Sequence, residues 1–163
     1  MTKEGAIRRE AMPVGISIHL EDEVDSTCAL AYATTRVPQT HPDGRVAEII
    51  RQLGRGGPYD SMTDVAVIEA GRLVGLIAIE HLLSASPDTP ASEIMDVAPP
   101  VIAPGVDRKS AAVKAASHEE SSLGVVDAHG IFLGLIPSHR MLSVLLDEHP
   151  EDMARVSGYL HEN

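Results

Sequence analysis

The chain has 163 residues, 44% of them hydrophobic but only 2% aromatic, with one cysteine and a formal net charge of −11. That charge repels a phosphate backbone, and a single Phe with no Trp offers no stacking platform, so nucleic acid is excluded as the expected partner. The lone Cys28 forms no internal disulfide and fits a reducing compartment, and no run reaches the roughly 18–20 apolar residues that a bilayer span needs.

Residues 1–30 read as an N-terminal extension. They turn acidic early and lack the apolar run of a signal peptide, while VGISIHL (14–20) alternates as a strand or an arm would. A short extended segment is expected at Arg36–Pro38. A helix follows, with Val46, Ile49, Ile50 and Leu53 on one apolar face and Asp43 as its cap. LGRGGPYDSMTD (53–64) is a Gly-rich connection. Two apolar strands come next, VAVIE and LVGLIAI, joined by a turn in which Gly71 supplies positive φ. A second helix starts near Glu80. In the linker, 87–99, Thr89 is expected to cap a short helical turn with Pro90 at its first position.

The same order then recurs. Pro100–Ala103 is extended, and the helix at about Arg108–Ser117 is Ala-rich, which favours helix but packs thinly. Two strands lie within GVVDAHGIFLGLI, and a last helix begins near Ser138 with Met141, Leu142, Leu145 and Leu146 as its buried stripe. Val37 aligns with Val101, Asp43 with Asp107, Ala47 with Ala111 and Gly75 with Gly134. The unit is β-α-β-β-α, written at 31–86 and again at 100–149, with a helical tail at 150–163. One unit leaves a sheet face bare, and two can bury it. The expected fold is therefore α/β (α+β), two repeats packed with pseudo-two-fold symmetry.

The acidic-plus-Gly hairpins (Glu69-Ala-Gly71-Arg and Asp127-Ala-His-Gly130), the Gly-Leu-Ile at 75–77 and 134–136, and the linker SPDTPASEIMDVAPPVIAP resemble a tandem pair of CBS domains. The segments IEHLLSASPDTPASEIMD and MLSVLLDEHPEDMARVSGYL are similar, more narrowly, to the cytosolic CBS pair of MgtE-type magnesium transporters. The resemblance covers about residues 30–149. It implies ligand positions at Arg36, Val37, Pro38, Ala78 and His81, and at Val101, Ile102, Pro137, Ser138, His139 and Arg140.

Nucleotide-binding copies of the family often end Gly-h-h-Thr/Ser-x-x-Asp, where h is apolar, the hydroxyl reaches phosphate and the Asp holds the ribose diol. Here Ala78 and Pro137 stand at the hydroxyl position, and His81 and Arg140 at the Asp position. AMP or ATP is thus a possible but motif-poor ligand. Ser138 either compensates for the lost hydroxyl or caps the last helix. His139 and Arg140 either hold a phosphate or other anion or stand in solvent, and His81 is either a ligand contact or a half-exposed helix-start residue.

Weak Mg²⁺ binding is one reading of Asp88, Glu93 and Asp96 in the linker and of Asp147 and Glu148, with Glu151 and Asp152, at the last helix junction. A solvated acidic face is the other. The eight His show no HxxxH or HExxH spacing, and there is no GxSxG, P-loop or Cys–His pair, so neither zinc nor catalysis is expected.

The resemblance implies a cytoplasmic, non-catalytic regulatory module, the sensor part of or a relative of a Mg²⁺ transporter. Any membrane domain would belong to the parent chain, with no membrane contact by this segment. The alternative is a free-standing structural dimer without a nucleotide. A homodimer is implied either way, with Leu82, Leu83, Met141, Leu142 and Leu145 as its seam or else as intrachain core.

Overall fold

The computed structural model describes residues 27–117 and 121–148, with side chains as far as Ser143 in the last helix. The expectations for 14–20, for Glu151 and Asp152, and for the tail lie outside these residues. A 3-10 turn at Ala29–Tyr32 leads into the first copy: β1 (Gln39–Thr40), α1 (Val46–Gly54), β2 (Asp64–Glu69), β3 (Arg72–Ala78) and α2 (Ile79–Ser84). A helical turn, α3 (Ala91–Ile94), lies in the linker. The second copy follows as β4 (Val101–Ile102), α4 (Arg108–Ala116), β5 (Ser122–Val126), β6 (Phe132–Pro137) and α5 (Ser138–Glu148).

Each copy makes one three-stranded sheet, in the orders β1-β2-β3 and β4-β5-β6. In both, the first pair is parallel and the second antiparallel. Each copy has its own core: Val46, Ile49, Val65, Val67, Ile77 and Leu82 in the first, and Ala111, Ala112, Leu123, Val125, Ile136 and Met141 in the second. A third cluster, Val37, Ala66, Leu76 and Leu135, lies between them. It buries the sheet faces that a single copy would expose.

The two copies also exchange backbone reciprocally. Thr34, which precedes copy one, forms an antiparallel bridge to Leu135 on β6 of copy two, while Asp96, which precedes copy two, bridges to Leu76 on β3 of copy one. Each bridge has both of its hydrogen bonds, 2.8 and 2.9 Å at Thr34 and 2.8 and 3.2 Å at Asp96. The hairpin tips meet as well, with the Phe132 N–H donating to the Gly71 carbonyl at 2.9 Å. This reciprocity is the pseudo-two-fold relation expected from the repeat.

Several local expectations are corrected. The first strand is Gln39–Thr40, not Arg36–Pro38. Ala66 N–H donates to the Pro38 carbonyl as Gly124 N–H does to that of Pro100, so Pro38 matches Pro100, and the matches of Val37, Asp43 and Ala47 to Val101, Asp107 and Ala111 are displaced by two residues while that of Gly75 to Gly134 holds. The residue capping α1 is accordingly Arg45, with no side-chain cap bond, and not Asp43. Its equivalent Asp107 does cap α4, accepting from the backbone of Lys109 and Ser110. Those bonds, with the Ser110 hydroxyl first, hold its carboxyl below the ordinary value. Pro90, not Thr89, sits at the cap of α3. Ile50 and Leu142 are exposed rather than buried, because each helix turns only a narrow stripe inward.

The first hairpin turn has both central residues at positive φ, 49° at Ala70 and 77° at Gly71. Alanine is strained there, whereas Asn tolerates this region and Asn-Gly is the favoured pair. Ala70→Asn should therefore stabilise the fold by roughly 0.5–1 kcal/mol, read as an increase in the urea midpoint. An unchanged or lower midpoint would count against the turn as described.

Candidate functional site

At the edge between the copies, the loop after α1 reaches the start of α5. Asp60 in that loop is the centre of a polar cluster. Its Oδ1 is 2.8 Å from Arg36 Nη2. Its Oδ2 accepts from the Thr34 hydroxyl at 2.6 Å and from Arg140 Nη2 at 3.1 Å. The Thr34 hydroxyl, then the two arginines, hold the Asp60 carboxyl below its ordinary value and outweigh the opposing effect of desolvation. Both guanidiniums are anchored a second time by backbone carbonyls: Arg36 Nε donates to Pro58 at 2.8 Å and Arg140 Nη1 to Tyr32 at 3.1 Å. Arg108 Nη1 donates to the Tyr32 hydroxyl at 3.0 Å. One carboxylate thus faces two arginines, a local positive excess on a chain of net charge −11.

Of the sequence-derived ligand positions, Arg36 and Arg140 are joined through Asp60. Val37 and Pro38 are buried, Val37 in the cluster between the copies. Val101 and Ile102 form β4, and the Val101 carbonyl accepts from Lys114 Nζ at 2.6 Å. Ala78 and Pro137 close β3 and β6, and His81 and His139 are exposed. Ser138 lies on the other side of the α5 start, lining an apolar hollow of about 180 Å³ between α4 and α5 with Ala112, Ala115, Ala116, Met141 and Leu142. The thin Ala-rich helix leaves this hollow, where copy one carries Ile50 and Leu53.

Asp60 was not singled out from the sequence. The only signal for it was the position of its loop, the extra length in copy one.

A second polar pair is buried. Ser122 Oγ donates to Asp64 Oδ2 at 2.6 Å, and the Thr63 hydroxyl donates to the same oxygen at 3.2 Å. The two residues open β2 and β5, so equivalent positions of the two copies touch across the pseudo-axis. Burial pushes the Asp64 carboxyl above its ordinary value, against the two hydroxyl bonds.

Among the described residues no three His, Cys, Asp or Glu side chains converge on a possible metal position. Asp88 and Glu93 are exposed, and Asp96 Oδ1 accepts from Ala98 N–H at 2.9 Å. These linker acids therefore do not form a carboxylate cage, and the side chains of Asp147 and Glu148 lie outside those described. Among the described residues no helix is long and apolar enough to cross a membrane.

The twofold β-α-β-β-α order and the reciprocal bridges give the chain the fold of solved tandem CBS pairs. Solved CBS pairs share this fold: CBSX2 of Arabidopsis thaliana, in its complex with AMP, superposes with a TM-score of 0.63 at 18% identity over 74% of this chain and 97% of that one. The particular likeness is to MgtE. The chain is 28% identical over 153 residues, 93% of its length, to the magnesium transporter MgtE of Thermus thermophilus. The cytosolic domain of the Mg²⁺ channel MgtE, solved in complex with ATP, has a TM-score of 0.69 at 25% identity, over 74% of this chain and 49% of that one. The chain spans 33% of the length of the curated relative it matches. No protein-family model matches it.

Proposed function

We propose that the chain is a non-catalytic regulatory CBS pair, the cytosolic sensor part of a Mg²⁺ transporter or of a relative of one. In this reading it answers to Mg²⁺, an adenine nucleotide or both by favouring one of two arrangements of a homodimer. The observation that carries the reading is the continuous likeness to MgtE over 93% of the chain, through both copies and the linker. The copies are assigned to 31–86 and 100–149, the linker to 87–99, and the extension and tail to 1–30 and 150–163.

The relatives solved with ATP and AMP support a nucleotide as the ligand. Arg36 and Arg140 supply donors suited to its phosphates. Mg²⁺ acts by screening the acidic surface, since the linker acids form no cage. Leu83 and Leu142, at equivalent places on α2 and α5 and 65% and 56% exposed, are the dimer seam. Leu82 and Met141 are buried in the core of their own copies. A ligand regulates only by binding one arrangement better than the other. The apolar Ala78 and Pro137 favour a second reading, a structural dimer without nucleotide.

Thermal unfolding with Mg²⁺, AMP or ATP at fixed ionic strength tests this. A ligand at 100 times its Kd adds about 2.7 kcal/mol to the folded form, so the midpoint should climb clearly with at least one of them. No shift with any, alongside a dimer that Leu83→Glu with Leu142→Glu splits into monomers, would establish the structural dimer instead.

A further inference from the structure

We propose that Asp60 is a built-in counter-ion that competes with a phosphate-bearing anion for Arg36 and Arg140, so that anion binding releases the loop 55–63 from α5. This rests on reading Arg36 and Arg140 as an anion site and adds how that site is gated.

The geometry carries the idea. The Asp60 carboxylate spans both guanidiniums, one oxygen to each, as two oxygens of a phosphate would. Arg140 keeps a separate anchor outside the loop, on the Tyr32 carbonyl, whereas Arg36 bonds the Pro58 carbonyl of the loop itself. Arg140 therefore stays largely in place when Asp60 leaves, while Arg36 exchanges its bonds to the loop for the anion, and the donors that face Asp60 are the ones an incoming anion takes. The Arg36 side chain is 60% exposed and that of Asp60 22%, so the pair is reachable from solvent.

The exchange also has a mechanical consequence. Asp60 ties the copy-one loop to the copy-two helix through Arg140, and that loop is otherwise largely exposed from Arg55 to Pro58. A site occupied by its own carboxylate binds a competitor with its intrinsic affinity multiplied by the fraction of time the carboxylate is away.

The test measures inorganic phosphate, AMP and ATP binding by calorimetry, at fixed ionic strength, to the wild-type chain, Asp60→Asn and Arg140→Gln. Asp60→Asn should bind phosphate roughly tenfold tighter than wild type, and Arg140→Gln should bind it more weakly than wild type. A tighter fit for AMP and ATP but not for phosphate would assign the ligand to nucleotides; tightening for all three assigns it to phosphate itself. Affinity unchanged or weakened in Asp60→Asn, with the wild type still binding, overturns the competition and leaves the anion site standing. Absence of binding to wild type and both variants overturns the anion site and the competition together. Hydrogen exchange of amides 55–63 in the wild-type chain needs no variant: faster exchange on adding ligand is expected, and slower or equal exchange under saturating ligand contradicts the release.

Discussion

Gly75→Ala and Gly134→Ala should each destabilise the chain by about 1–3 kcal/mol, while Gly54→Ala should not. A methyl group on Gly75 would lie 2.9 Å from the Asp96 carbonyl and 2.6 Å from Met95 Sδ. The sulfur can move, but the carbonyl is fixed by its bridge to Leu76. On Gly134 the methyl would lie 3.0 Å from both the Thr34 carbonyl and Ala33 Cβ, at a φ of 153° that disfavours any side chain. Both glycines thus clear the path for the segment that crosses from the other copy. Gly54, the last residue of α1, has nothing within 4 Å of where a methyl group would sit, so alanine there gains helix propensity without a clash. Urea unfolding of the three variants decides: equal midpoints for all three would mean that the crossings are not tightly packed.

Ser122→Ala should cost about 1–3 kcal/mol at neutral pH, because it strips a charged, buried carboxylate of its shortest hydrogen bond. The pH dependence has a definite sign. The folded chain holds the Asp64 proton more tightly than the unfolded one, so this group favours the folded state below the ordinary carboxylate value of 3.8. That contribution is lost as pH rises from there through the elevated folded value. Asp64→Asn keeps an oxygen to accept both hydroxyls, removes the charge, and should flatten stability against pH in that window. The Ser122→Ala penalty should shrink where Asp64 is protonated. Unfolding midpoints at several acid pH values and at pH 7 would test both, and a Ser122→Ala cost independent of pH would remove the carboxylate from the explanation.

Much of the fold was legible because the repeat is carried by apolar strands. The runs at 65–69 and 123–126, the turns at Gly71 and Gly130, and Gly75 with Gly134 are all visible as pattern. The first strand of copy one was not legible in the same way. Gln39–Thr40 is a two-residue edge with no apolar period, and only the match of Pro38 to Pro100 would have set its register. Helical spacing marked Ile50 and Leu142 as apolar, but it cannot say whether a neighbour covers them.

The polar cluster was half legible. Arg140 stood out because it departs from the family pattern, but its partner Asp60 lies in a loop that reads as mere added length. The pairing of Asp64 with Ser122 depends on where two equivalent positions meet in space. It has no linear signature beyond each preceding an apolar run.

The reciprocal bridges at Thr34 and Asp96 have a consequence for ancestry. Each copy finishes its neighbour's sheet edge with the stretch that precedes its own first strand, as partners do in a domain-swapped pair. A one-copy forebear would leave that edge open and its arm unplaced unless it met a twin. Duplication and fusion would then have turned an obligate association between molecules into a covalent one. The two halves, expressed as separate polypeptides, should find each other rather than fold apart.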